Sequence, residues 1–347
     1  MTMKSALTIV CALGACGVCY AQQKPHYTQY IQNQYIINPA LSGIENYTDV
    51  NLSHRHQWTN FDGSPVTTYL TVQGAINKKD YRTTPTSYEV QDGENPVGRE
   101  YWDQYTAAPA HHGVGFQFLK DNAGALSNVS AYATYAYHIG LSPKLNLSAG
   151  FGAGFTRYSL DVSKLDFMNT TVDPSVYNSD AINKTKFDMN AGVYLYSSKY
   201  FIGLSALQLT ASRLIFSGSQ ITTLTGTTVP HLFLTGGYRV QLSDDFFMLP
   251  SLMFKYIQPL PMQAEANVKF QYRDALWAGV SYRHKDGIAG MIGMHCFNTM
   301  NISYSYDYTT STLSTYNSGS HEIILGLIIG NKYNRTRMYS CTRKRLW

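Results

Sequence analysis

Ser320-His321-Glu322 brings together a hydroxyl, an imidazole and a carboxylate, the parts of a nucleophilic relay. The tripeptide stands in a segment of period-two alternation, where neighbouring side chains point to opposite faces, so the three groups cannot form that relay. His54 and His56 share one strand face, but two ligands are too few for a metal site. His111 and His112 are adjacent at the start of a strand and point to opposite sides. Gly150-x-Gly152-x-Gly154 lacks phosphate-loop spacing and lies within a strand, which argues against nucleotide binding. No catalytic, cofactor-binding or metal site is therefore expected, and the chain reads as non-enzymatic.

The elements carrying these residues are more informative. Met300, Ile302, Tyr304, Tyr306 and Tyr308 alternate with Asn301, Ser303, Ser305 and Asp307. Leu145, Leu147, Ala149, Phe151, Ala153 and Phe155 alternate with Asn146, Ser148, Gly150, Gly152, Gly154 and Thr156. Phe187 to Leu195 and Met262 to Tyr272 repeat the pattern. Period two is the strand signature. Asp188, Glu265, Lys269, Arg273, Arg283 and Asp307 fall on the polar face. Against lipid, Lys or Arg there would cost roughly 2–4 kcal/mol at mid-bilayer, so this face is expected to line a lumen. Beyond the N-terminus no apolar run reaches the ~18 residues of a spanning helix.

Two strands around Asp62-Gly63-Ser64-Pro65 come first. Twelve more candidates lie near 112–120, 128–139, 144–157, 186–197, 199–209, 231–242, 246–257, 262–273, 275–283, 288–296, 300–309 and 320–329. The predicted fold is all-β, a transmembrane antiparallel barrel of about 14 strands. Loop lengths sort by parity. With both termini periplasmic, connections 140–143, 198, 243–245, 274 and 297–299 are short periplasmic turns, while 158–185, 210–230 and 310–319 are long and external. Residues 77–111 break the rule. They form a long inserted loop on the periplasmic side, either packed on the barrel mouth, in contact with periplasmic partners, or unpaired.

Residues 1–21 read as a secretory signal, with Lys4 ahead of an apolar stretch and a cleavage site after Ala21. A rival reading is a lipobox ending at Cys16. Residues 22–45, rich in amides and aromatics, either enter and plug the barrel or merely lead into it. The barrel would occupy 46–330, and 331–347 is a basic tail. Removing the six tail cations and Lys4 from the net charge of +5 leaves −2 for residues 6–330, which excludes a nucleic-acid face. Cys296 and Cys341 remain after cleavage, as a disulfide or as two thiols.

Three stretches resemble the PorP/SprF family of type IX secretion and gliding proteins. They are Thr28-Gln29-Tyr30 with Asn38-Pro39-Ala40 and Gly43; Arg55-His56-Gln57-Trp58 with Gly63, Pro65 and Thr67; and Tyr306-Asp307-Tyr308 with Gly319-Ser320-His321-Glu322-Ile323. The resemblance implies an outer-membrane barrel of the type IX system. Its partners would be membrane lipid, a secreted cell-surface adhesin with a type IX C-terminal domain, and periplasmic type IX components. A docking surface needs apolar residues in polar loops. Leu214, Ile215, Phe216, Leu165 and Phe167 are such residues and are expected to grip that partner. The alternative is a passive porin with the lumen charges along its path.

Overall fold

Alternating side chains commit these segments to strands, and a polar inner face commits the strands to closing on themselves. The computed structural model describes residues 27–60, 62–78, 84–87, 105–161, 164, 183–210, 213–215, 225–243, 245–258, 260–272, 275–296, 299–311 and 317–331. In chain order the strands are Thr48–His56 (β1), Val66–Ile76 (β2), His111–Ala123 (β3), Leu126–Ser142 (β4), Leu145–Leu160 (β5), Asn183–Tyr196 (β6), Tyr200–Leu207 (β7), Arg213–Ile215 (β8) and Thr225–Thr227 (β9). There follow His231–Tyr238 (β10), Val240–Gln241 (β11), Phe246–Ile257 (β12), Gln263–Tyr272 (β13), Leu276–Arg283 (β14), Gly287–Cys296 (β15), Met300–Thr309 (β16) and Ser320–Ile329 (β17).

Neighbours in sequence pair antiparallel around the wall. The ring closes where β1 meets β17, Thr48 opposite Ile329. β10 and β11 are one strand interrupted at Arg239, and both pair with β12. The wall is thus a closed 14-stranded antiparallel barrel, as the alternation predicts. β8 and β9 stand apart as a hairpin within the 208–230 connection, which sequence alone presents as a plain loop. The Thr-rich run 222–228 favours extended backbone there. β4 and β5, 17 and 16 residues long, exceed the ~9–11 needed to cross a bilayer.

One end of the barrel, here the turn end, holds connections 143–144, 197–199, 242–245, 273–275 and 297–299, the start of β1 and the end of β17. The other, the loop end, holds the long connections 57–65, 161–182, 208–230 and 310–319 and the short ones 124–125, 258–262 and 284–286. The described ends of the 77–110 connection lie at the turn end, where Ala107 N–H donates to Pro143 O at 2.6 Å. Outside the barrel, Phe155 and Ile292 are about 60% exposed, while Ser53, Ser148 and Ser305 inside are fully buried. This inverted polarity suits a wall set in lipid. Among the described residues no helix is long and apolar enough to cross a membrane.

Candidate functional site

The three sequence stretches singled out above converge at the loop end of the lumen. Arg55, one residue from the loop end of β1, points inward and is 2% exposed. Its Nη2 donates to Asp307 Oδ2 of β16 at 2.7 Å, and its Nη1 donates to Glu322 Oε2 of β17 at 3.2 Å. Register explains the meeting: Arg55 lies directly opposite Glu322, and Glu322 opposite Ser305, two residues from Asp307. Arg283 of β14 extends the cluster through Glu265 at 3.1 Å, Asp286 at 2.9 Å and Asp307 at 3.7 Å. Planar guanidinium forks suit such a network, since each can serve several carboxylates.

Thr28 sits on this cluster. Arg55 Nη1 donates to its hydroxyl at 2.6 Å, and the hydroxyl donates to Asp307 Oδ2 at 2.6 Å. Its backbone N–H donates to Glu322 Oε2 at 3.0 Å, while Gln29 Nε2 donates to Glu322 O at 3.0 Å. From there residues 27–47 run down the lumen to the turn end. Irregular backbone at membrane depth must find partners in the protein. The wall supplies them: Gln117 Nε2 donates to Tyr35 O (2.6 Å), Ser205 Oγ to Ile37 O (2.6 Å) and Ser148 Oγ to Ala40 O (2.5 Å). Lower down, Gly43 N–H donates to Gln73 Oε1 at 2.7 Å, and His138 Nε2 faces Ser42 O at 2.8 Å.

Local chemistry shapes the segment. Gln34–Ile36 and Pro39–Leu41 are single 3₁₀ turns. Asn38 caps the second by accepting from Ala40 N–H at 3.0 Å, and Pro39 supplies a preset first position. Ile31, Tyr35, Ala40, Leu41 and Ile44 pack against Tyr194, Tyr196, Phe201 and Leu249 of the wall. Tyr27, Tyr30, Ile36 and Ile37 pack against Tyr69, Leu119, Leu207 and Phe233. Each buried side chain of this kind contributes about 1.5–3 kcal/mol. Glycine permits the closest approaches. A Cβ on Gly150 would lie 2.6 Å from Ala40 Cα and from Pro39 O. Gly152 and Gly154 instead face Thr134, Ala131 and Tyr132 of the neighbouring strand. Gly113, Gly115, Gly192 and Gly203, which alternation alone does not single out, also abut the segment.

Of the six charged residues assigned to the polar face, Asp188, Glu265, Lys269, Arg283 and Asp307 are buried on the inner side; Arg273 lies outside the described residues. Glu265, Arg283 and Asp307 belong to the cluster. Asp188 lies in a separate patch, 3.8 Å from Lys186 and accepting from Tyr132 OH at 2.9 Å. Lys269 stands 5.5 Å from the Trp277 ring centroid. Leu214 and Ile215 fall on β8, whereas Leu165, Phe167 and Phe216 lie outside the described residues, as do segments 1–26 and 332–347. His54 pairs with Thr68 at 2.9 Å and His56 with Ser64 at 2.9 Å on the outer face, not with each other. His321 faces Tyr304 OH at 2.7 Å, away from the buried Glu322. Cys296 carries a free thiol, and Cys341 falls outside the described residues.

The missed feature is the role of Arg55 and Glu322 as one unit with Thr28. Their presence in three separate motif stretches is the only sequence-level signal that joins them.

Residues 19–327 match the profile of the PorP/SprF family, described as type IX secretion system membrane proteins. No curated protein matches the chain. Among solved structures, the toluene transporter TbuX of Ralstonia pickettii is 11% identical with a TM-score of 0.48, over 86% of this chain and 93% of that one. The toluene transporter TodX of Pseudomonas putida is 10% identical with a TM-score of 0.47, over 86% and 94%. The outer membrane protein Omp33 of Acinetobacter baumannii is 10% identical with a TM-score of 0.41, over 83% and 99%.

Proposed function

Because the chain belongs to the PorP/SprF family of type IX secretion outer-membrane proteins, we propose that it is an adaptor barrel that holds a secreted cell-surface protein at the outer membrane. As a member of this family the protein is not an enzyme. The observation that supports the adaptor reading is the course of residues 27–47, which run inside the barrel from the ionic cluster to the turn end and bond to the wall along the way. We read this segment as a plug that closes the solute path. The closed ring also has no free strand edge for a client to extend. A client must then engage the loops or a mouth.

We place the turn end in the periplasm, next to type IX components, with segment 77–110 as their contact. The loop end faces outward. There Leu214, Ile215, Phe216, Leu165 and Phe167 would grip the C-terminal domain of the client, an adhesin by family resemblance. Replacing Leu214, Ile215 and Phe216 with Ser should leave the barrel folded and release the client into the medium. A client that stays cell-bound with all three outer loops shortened would move the docking surface to the turn end. In planar bilayers the intact protein should be silent, and deleting residues 22–41 should open a conducting path. Porin-like conductance of the intact protein would favour the channel reading instead.

A further inference from the structure

Charge is distributed unequally between the two faces of the wall. Among the described side chains of the barrel strands, every carboxylate points inward: Asp49, Asp121, Asp188, Glu265, Asp307 and Glu322. Among the same described side chains only two charged ones point outward, Lys120 of β3 and Arg157 of β5, and both are exposed cations. They sit on one cross-strand row, since Lys120 lies opposite Val129 and Val129 opposite Arg157. The same row runs on through Thr68 to His54, an exposed residue whose Nδ1 lies 2.9 Å from the Thr68 hydroxyl. With one strand between them, Lys120 and Arg157 are about 10 Å apart.

Height decides what this row meets. Arg157 lies twelve residues along β5 from Leu145 at the turn end. At ~3.3 Å per residue and a tilt of ~40°, that is about 30 Å up the wall, just beyond an apolar band ~25 Å tall. Below it stand Phe155, Phe187 and Phe116, all well exposed, with Phe155 and Phe187 edge to face at 5.6 Å. Arg157 therefore emerges at headgroup level above an aromatic girdle, and Lys120, two strands along the same tilted row, lies within about 6 Å of that height. Neither Lys120 nor Arg157 makes a side-chain ion pair or hydrogen bond with a described residue, and Asp161 just past β5 faces Lys164 at 3.7 Å.

We propose that the row His54, Thr68, Lys120 and Arg157 is a binding site for a phosphorylated glycolipid headgroup, the lipid A of the outer leaflet. Two unpaired cations on one row match two phosphates on one sugar core. Lysine meets a phosphate as a point charge and arginine as a fork. The choice of lipid A rests on the outward orientation given to the loop end.

The test is native mass spectrometry of the detergent-purified full chain, titrated with diphosphoryl lipid A, dephosphorylated lipid A or phosphatidylglycerol. The wild type should retain diphosphoryl lipid A best. Lys120→Gln with Arg157→Gln should weaken retention roughly thirtyfold, as expected for two basic residues at an anionic surface. Heat-modifiable migration on gels identifies folded barrels, and each single variant should give an intermediate loss. Equal retention of lipid A by the wild type and the double variant overturns the site, while the adaptor reading, which this assay does not touch, stands. Preference for phosphatidylglycerol that depends on the same two cations overturns the lipid A assignment and the orientation together.

Discussion

Replacing Arg55 with Met tests whether the motif cluster pins the luminal segment. Methionine keeps the apolar stem and removes the cation. Glu322, fully buried, would be left with the Thr28 N–H at 3.0 Å and the Ser53 hydroxyl at 3.3 Å. Asp307 would keep the Thr28 hydroxyl at 2.6 Å and Arg283 at 3.7 Å. Breaking a buried pair by removing one partner costs about 3–5 kcal/mol. That is roughly a hundred- to several-thousandfold in an equilibrium. The protein can recover part of the loss by letting Thr28 leave and water reach Glu322. The variant should therefore show a lower urea midpoint in vesicles and, in planar bilayers, intermittent openings absent from the wild type. Adding Glu322→Gln removes the stranded charge and should restore more than half of the lost stability. A loss under about 1 kcal/mol, the value of an exposed pair, together with silent membranes, would refute the reasoning. The cluster would then be solvated and the segment held by its apolar contacts alone.

Gly150→Val should displace the luminal segment or block folding, because the new Cβ meets the backbone of residues 39 and 40 at 2.6 Å; heat-modifiable migration and bilayer conductance would report it. Gly290→Val, on the outer face with nothing within 4 Å of its Cβ, should fold as the wild type does and serves as the control. Asn38→Ala loses the cap on Ala40 N–H and the 3.2 Å bond to Val193 O. It should destabilise the second 3₁₀ turn by about 1–2 kcal/mol, read as faster hydrogen exchange at residues 40–44. Circular dichroism in detergent should be dominated by β-structure, and a largely helical spectrum would contradict the barrel itself.

The period-two pattern, together with the confinement of charge to one face and the sorting of loop lengths, determined the wall of this protein. Met300 to Tyr308 and Leu145 to Thr156 each sort their side chains into an apolar and a polar set, and the charges on the polar set of other strands place that set inside a barrel whose outer face meets lipid. Strand number follows from counting such runs, and the motif stretches carry the family. Alternation is a local property, however, and it says which face a residue takes, not what it meets there. Arg55, Asp307 and Glu322 are up to 267 residues apart in sequence, and only ring closure between β1 and β17 brings them together. The hairpin of β8 and β9 was hidden because a short Thr-rich run resembles a loop until a partner strand pairs with it. The path of residues 27–47 was hidden for a related reason. The segment has no repeating pattern, since its backbone is satisfied by wall side chains such as Gln117, Ser148 and Ser205 rather than by itself. Its course is set by the shape and chemistry of the cavity that the rest of the chain must first enclose.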